Sequence, residues 1–380
     1  MDITYVLTLE EMAIIKIAVA LYNDPVLRPF IDKLRVNDRV ASFSCEYNFR
    51  EWNVIFEKAM TRISTFVPAL LQKKVVNLLK TIHNEIERWW ADHHVFFILL
   101  SNIDIHGNLC WKSEGTIDRI KTVKKLVQME ELGVSTRLLL ACTYFLEKEI
   151  SILWNKMSPL DKLVIHRITG NISVEFWGKC LKRRNTPWTN LAKKYLQPPE
   201  GWVLEPSRIR LSSFYHALSS GAKRDFTACF VRPERIHNDD LRFCLFQMNE
   251  IEKKEMLETY PHIILDTLLQ WPLQSLFMKI ADLVWDHLPE CEYLNLLHII
   301  LYRKILKEMN DFDYIQLLAE FWKHSPSHFK DHVKNDPVYE PLMRMINYDR
   351  SQPFPLKSLY QNYLDFILTS RRAYSGYPLR

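Results

Sequence analysis

The stretch from Leu138 to Pro159, LLLACTYFLEKEISILWNKMSP, decides the fold class. Leu139, Cys142, Leu146, Ile150, Leu153 and Met157 advance three or four residues at a time. That is the period of an α-helix, not of a strand. Leu138, Ala141, Phe145 and Ile152 widen the stripe, while Glu147, Lys148, Ser151 and Asn155 fall opposite, where water belongs. The spacing predicts one helix over 138–157. Ser158 then suits an N-cap and Pro159 a first helical turn, and Asp161 stands where its carboxylate reaches back to the cap. Two helices joined by so short a turn form an antiparallel pair.

The pattern recurs. Leu153-Trp154-Asn155-Lys156-Met157-Ser158-Pro159 has a counterpart in Phe321-Trp322-Lys323-His324-Ser325-Pro326, and a looser one in Val284-Trp285-Asp286-His287-Leu288-Pro289. Trp285 and Trp322 are 37 residues apart, within the period of helix-pair repeats. A helix pair cannot bury its apolar face alone, so stacked pairs share a continuous core. The expected fold is all-α: stacked antiparallel helix pairs in an irregular, solenoid-like array.

Composition narrows the functions. Apolar residues make up 48% of the 380, ample for a core. Glycine is scarce, 8 residues in the whole chain, and no glycine-rich loop exists. Phosphate-cradling turns need glycine where backbone approaches phosphate, which excludes the P-loop and the dinucleotide fingerprint. The net charge of +5 is mild and falls short of a nucleic-acid binder's basic footprint. Cysteines stand singly at 45, 110, 142, 180, 229, 244 and 291 with no CxxC, and read as reduced core residues. The N-terminal MDITYVLTLEE lacks the basic start of a secretory signal. The most apolar run, Val95–Leu100, falls far below the roughly 20 residues of a membrane span. A soluble protein, cytoplasmic or nuclear, is expected.

Along the chain, helical periodicity covers 8–22, 47–65, 68–100 (with a break expected near Ala91-Asp92), 116–132, 159–169 and 172–184. It resumes over 212–220, 239–258, 261–287, 290–310, 312–324, 326–334, 338–347 and 357–371. The Asn-Asp-Pro triplets at 23–25 and 335–337 each open a helix. Pro187, Pro198, Pro199, Gly201 and Pro206 mark 185–212 as a joint between an N-terminal helical region, 1–184, and a C-terminal repeat region, 213–380. Strand patterns are confined to 202–204 and 228–231.

Candidate chemistry is sparse. His93 and His94, near His83 and Asp92, are adjacent and point about 100° apart on a helix, which is wrong for a shared metal. Asp239-Asp240 and Glu10-Glu11 read as helix starts or solvated faces. No GxSxG, HExxH or catalytic cysteine signature occurs, so no catalytic residue, metal or cofactor is expected. Lys179, Lys182, Arg183, Arg184, Lys193 and Lys194, framed by Trp177 and Trp188, form the strongest basic patch. Such a patch could grip single-stranded nucleic acid, although basic residues also collect at helix C-termini.

Three resemblances add to this. Thr8-Leu9-Glu10-Glu11-Met12-Ala13-Ile14-Ile15-Lys16-Ile17 is similar to the short box by which receptor subunits of some ubiquitin ligases dock elongin. Leu9, Ala13 and Ile17 would enter the groove, with Ala13 in place of the usual Cys. Thr186-Pro187-Trp188-Thr189-Asn190-Leu191-Ala192 faintly matches the ankyrin Thr-Pro-Leu-His-x-Ala, without its His. The segments LEEMAIIKIAVALYNDP, Phe49–Phe56 and Phe354–Leu359 resemble a lineage-expanded arthropod family. That likeness implies a divergent, ankyrin-like helical-repeat protein and no activity or cofactor. The expected function is therefore a non-enzymatic scaffold for an unnamed protein partner. The alternatives are a ubiquitin-ligase receptor and a basic nucleic-acid binder.

Overall fold

The computed structural model describes residues 6–40, 45–97, 105–168, 172–182, 188, 210–219, 221, 223 and 237–373. Every regular element among these residues is helical, with no strand among them; the one β-type contact described is an isolated bridge between Trp111 and Ile117. The helices are α1 (Leu9–Tyr22), α2 (Arg28–Val40), α3 (Cys45–Ile63), α4 (Ala69–Phe97), α5 (Arg119–Gln128), α6 (Val134–Thr143), α7 (Glu147–Lys156), α8 (Pro159–Ile168) and α9 (Ile172–Lys182). They continue with α10 (Asn238–Gln247), α11 (Glu250–Thr259), α12 (Pro261–Leu268), α13 (Phe277–Val284) and α14 (Glu290–His298). A π-helical segment (Ile299–Ile305) then leads to α15 (Tyr314–His324), α16 (Ser327–Val333), α17 (Tyr339–Ile346) and α18 (Leu356–Ala373). The expected strand sites near 202–204 and 228–231 lie outside the described residues.

The chain divides into two compact units, His83–Met256 and Asp2–Ile82 with Leu257–Arg380. The divisions fall inside α4 and α11, whereas the proline pattern places a joint at 185–212, most of which lies outside the described residues.

In the unit His83–Met256, the deciding stretch is two helices instead of one. α6 stops at Thr143 and α7 starts at Glu147. The turn is a Schellman cap: Leu146 N–H donates to the Ala141 carbonyl and Phe145 N–H to that of Cys142. Phe145 takes the left-handed conformation, φ 54°, that glycine usually fills. Its ring packs on Phe214, at 4.2 Å between centroids, and on Phe176, Trp177 and Trp188. Those contacts offset the roughly 1–2 kcal/mol of strain. Leu138, Leu139, Leu140, Ala141 and Cys142 are all buried as α6 packs on α5, α7 and α9. The next corner forms as the sequence predicts: Ser158 Oγ accepts from Asp161 N–H at 3.1 Å and donates to the Asp161 carboxylate at 2.7 Å.

The three tryptophan corners share one local design. Leu153 and Met157, Val284 and Leu288, and Phe321 and Ser325 are buried, while the two residues between each Trp and the second buried position are exposed. Each Trp is half-buried and is covered by the residue eight positions later. That residue is Lys162 over Trp154 at 5.2 Å, Tyr293 against Trp285 at 6.2 Å, and Lys330 over Trp322 at 6.0 Å. The Asn-Asp-Pro triplets also match. Asp24 Oδ1 accepts from Val26 N–H and Asp336 Oδ1 from Val338 N–H, each at 2.8 Å, turning the chain into α2 and α17.

In the second unit, α12 packs on α13 and α14, α13 on α15, α14 on α16, and α15 on α17. An aromatic cluster joins them: Trp285 stacks on Phe321 at 5.3 Å and Tyr293 on Phe329 at 4.7 Å. The π segment is followed by a second non-glycine cap. Glu308 (φ 49°) takes the left-handed position, and Met309 N–H donates to the Lys304 carbonyl. α4 starts in this unit and runs unbroken through Ala91-Asp92 to Phe97, where a break was expected.

Candidate functional site

The densest set of charged side chains is buried in the unit His83–Met256. Asp92 comes from α4, Arg119 opens α5, Arg210 precedes a 3-10 turn, and His237, Asp239 and Asp240 sit at the start of α10. Asp92 Oδ2 accepts from Arg210 at 2.7 Å and Arg119 at 2.8 Å, and Asp92 Oδ1 lies 3.1 Å from His237 Nδ1. Asp239 holds Arg210 through both oxygens at 3.1 Å and pairs with Arg119 Nε at 2.8 Å. Two guanidinium groups and two carboxylates thus close a charge-balanced ring. Ser212 donates to Asp240 through its hydroxyl and, at 3.3 Å, through its backbone N–H.

Electrostatics follow from this geometry. Burial opposes charge on Asp92, yet His237, Arg210 and Arg119 hold its pKa well below the ordinary carboxylate range. Asp239 is likewise held low by Arg119 and Arg210 against the effect of burial. Burial, aided by Arg210, lowers His237 to about 4, so its imidazole is neutral near pH 7. Asp240 goes the other way. Burial and the neighbouring Asp239 raise it to about 7. His93 is a core residue: its Nδ1 donates to the Trp89 carbonyl at 2.6 Å, since a carbonyl only accepts, which leaves Nε2 to accept from Tyr144 at 2.8 Å. Burial lowers it to about 3.

Donor atoms of Asp92, His237 and Asp239 lie within 4.8 Å of one another, a spacing compatible with a divalent cation. The arginines argue against that use. Both Asp92 oxygens and both Asp239 oxygens already bond guanidinium or imidazole, and two fixed positive charges face the same point. The ring reads as an ionic lock that ties α4, α5 and α10 together. Sequence reasoning placed Asp239-Asp240 at a helix start, which is correct. The solvated-face alternative is not: Asp240 is fully buried.

The other unit carries two surface features. α1 is capped by the Thr8/Glu11 box and buries Ile14, Ile15, Ala18, Leu21 and Tyr22. Its opposite side is more open: Leu9 is 82% exposed, Ala13 is exposed and Ile17 is half-buried. Lys74 Nζ of α4 pairs with Glu10 at 2.7 Å. Leu70, one turn before Lys74, is 88% exposed, and Val6 and Phe66 are 80% and 62% exposed. Leu9 and Leu70 each lie within a turn of one ion pair, so the N-terminal ends of α1 and α4 form an apolar ridge.

Beside it is a cleft of about 240 Å³ between α1, α4, the turn at Trp271-Pro272 and the loop 310–312. Ile14, Ile15 and Leu78 give it an apolar floor, and Trp271 and Phe312 are half-buried in its walls. Asp311 Oδ2 accepts from Gln274 at 2.8 Å and Tyr314 at 3.2 Å. Its Oδ1 is buried away from solvent, and burial raises the Asp311 pKa against the pull of Lys304, whose Nζ lies 5.3 Å from the Tyr314 ring, and of the Thr81 hydroxyl. Deeper in this unit, Lys80 Nζ donates to the carbonyls of Lys307 and Glu308 at 3.3 and 3.4 Å. Burial lowers its pKa to about 8.

Of the basic patch, Lys179 is exposed and pairs with Glu175 at 2.5 Å, and Lys182 is exposed. Arg183, Arg184, Lys193 and Lys194 lie outside the described residues, as does the ankyrin-like heptapeptide apart from Trp188. Cys110, Cys142, Cys180, Cys244 and Cys291 are free thiols. No helix among the described residues is long and apolar enough to cross a membrane. No family model, curated protein or solved structure matches this chain.

Proposed function

We propose that this chain is a non-enzymatic protein-interaction module built from divergent helical repeats. The observation that carries the reading is the ridge formed by Leu9, Leu70, Val6 and Phe66. Four large apolar side chains at such exposure near the starts of α1 and α4, two of them within a turn of one ion pair, suit a surface that another protein covers. The repeat part of the reading rests on the three tryptophan corners and on the α12–α17 packing, in which each helix meets its second neighbour. That pattern is what serially stacked helix pairs produce. The test compares tagged wild-type chain with Leu9→Asp in parallel purifications from native extract. A partner recovered by wild-type and lost from the variant, at unchanged melting temperature, is the expected outcome. Identical recovery from both would remove the ridge as the binding surface.

A second reading is favoured by one observation. Leu9, Ala13 and Ile17, the residues of the elongin-type box, lie on the side of α1 that the core leaves uncovered. A helix that inserts into a groove needs that side free. Purified elongin C bound by wild-type chain and not by Leu9→Asp would support a ubiquitin-ligase receptor. Absence of binding to wild-type would discard it while leaving the broader reading intact.

A further inference from the structure

We propose that Ser158, at the corner between α7 and α8, is the phosphoacceptor of a proline-directed serine/threonine kinase. The inference goes beyond the interaction reading and does not rest on it. Such a kinase needs a hydroxyl it can reach, a proline directly after it, and backbone that can lie extended. The three tryptophan corners differ in the residue that stands before their proline. Leu288 carries no hydroxyl. Ser325 is 4% exposed, and its hydroxyl donates to the Trp322 carbonyl at 2.8 Å and accepts from Tyr293 at 2.9 Å. Ser158 is exposed, as are Asn155, Lys156, Pro159, Leu160 and Asp161 around it. Met157 is extended (φ −78°, ψ 141°), and Pro159 disfavours a helical conformation at Ser158. Two bonds hold the first turn of α8 on Ser158: Asp161 N–H to its hydroxyl and Lys162 N–H to its carbonyl, each at 3.1 Å. Bonds at an exposed helix end are the first to open, so a kinase cleft can take the segment without unfolding the core. The γ-phosphoryl group of ATP passes to Ser158 Oγ: the Oγ–P bond forms as the bond to the ADP oxygen breaks, and the hydroxyl proton goes to the kinase's catalytic aspartate. The phosphate adds about two negative charges. Lys156, two residues before, and Lys162, one turn later and now over the Trp154 ring at 5.2 Å, stand ready to offset them against one carboxylate, Asp161.

The test incubates the full chain with a cyclin-dependent kinase, as a proline-directed enzyme, and magnesium ATP, beside a Ser-Pro control peptide. Intact mass and tryptic mapping read the result: Met157–Lys162 carries Ser158 and His324–Lys330 carries Ser325. Ser158 is expected to take phosphate to near completion. Ser325, which must first open locally, should be labelled at least about tenfold more slowly. Ser158→Asn keeps a capping oxygen and removes the acceptor, so it should lose that label at an unchanged melting temperature. The same Met157–Lys162 peptide, from chain purified out of native extract under phosphatase inhibition, should carry phosphate. An unmodified Ser158 while the control peptide is fully converted, equal rates at Ser158 and Ser325, or an unphosphorylated peptide throughout the native material would overturn the proposal.

Discussion

Asp240 is the residue at which burial acts most directly on charge. Fully buried beside Asp239, its folded pKa is about 7, against 3.8 for the free side chain. Between about pH 4 and pH 7 the folded chain holds a proton that the unfolded chain has released. The stability from this group is thus complete below pH 4 and is lost as pH rises through 7. His237 has the opposite slope: its folded pKa of about 4 means stability falls as pH drops from about 6.5 toward 4. Asp240→Asn mimics the protonated acid and keeps an oxygen for the Ser212 donors. Its stability relative to wild-type should grow from pH 4 to pH 8 in urea titrations, because the His237 slope is common to both proteins and cancels. A constant difference across that range would show that Asp240 keeps an ordinary pKa. Arg210→Met should cost about 3–5 kcal/mol, since it leaves Asp92 and Asp239 short of a buried partner.

At the scale of elements, the tryptophan corners make a graded prediction. Met157→Ala and Leu288→Ala remove buried contacts and should each cost about 2–4 kcal/mol. Asn155→Ala and Asp286→Ala, at exposed positions of the same corners, should stay within about 0.5 kcal/mol. Equal costs at both kinds of position would contradict a shared corner design. Helices were legible because apolar residues recur at helical spacing, and the Ser158-Pro159-Asp161 corner was legible because capping chemistry is local. The break at 144–146 was not. Its stop signal is usually glycine, and here a phenylalanine is held in the left-handed region by distant rings, among them Phe214. The expected break at Ala91-Asp92 failed for a related reason: Asp92 is polar in sequence but is drawn inward by two arginines. Arg210 meets Asp92 across 118 positions, a pairing no local pattern announces.

At the scale of the molecule, the exposed side of α1 was partly legible. Leu9, Ala13 and Ile17 share a spacing, but so do Ile14, Ala18 and Tyr22, and only packing shows which set is buried. Leu70 is brought toward Leu9 by the Glu10–Lys74 pair, which the sequence does not reveal. Hot-spot side chains at the centre of an interface carry most of its free energy, and a buried unpaired aspartate adds a desolvation cost. The most direct measurement is the Kd of the captured partner for wild-type, Leu9→Asp and Leu70→Asp chains by calorimetry. The ridge predicts a loss of about a hundredfold or more in each variant, with melting temperatures unchanged. An unchanged Kd in either variant would contradict it.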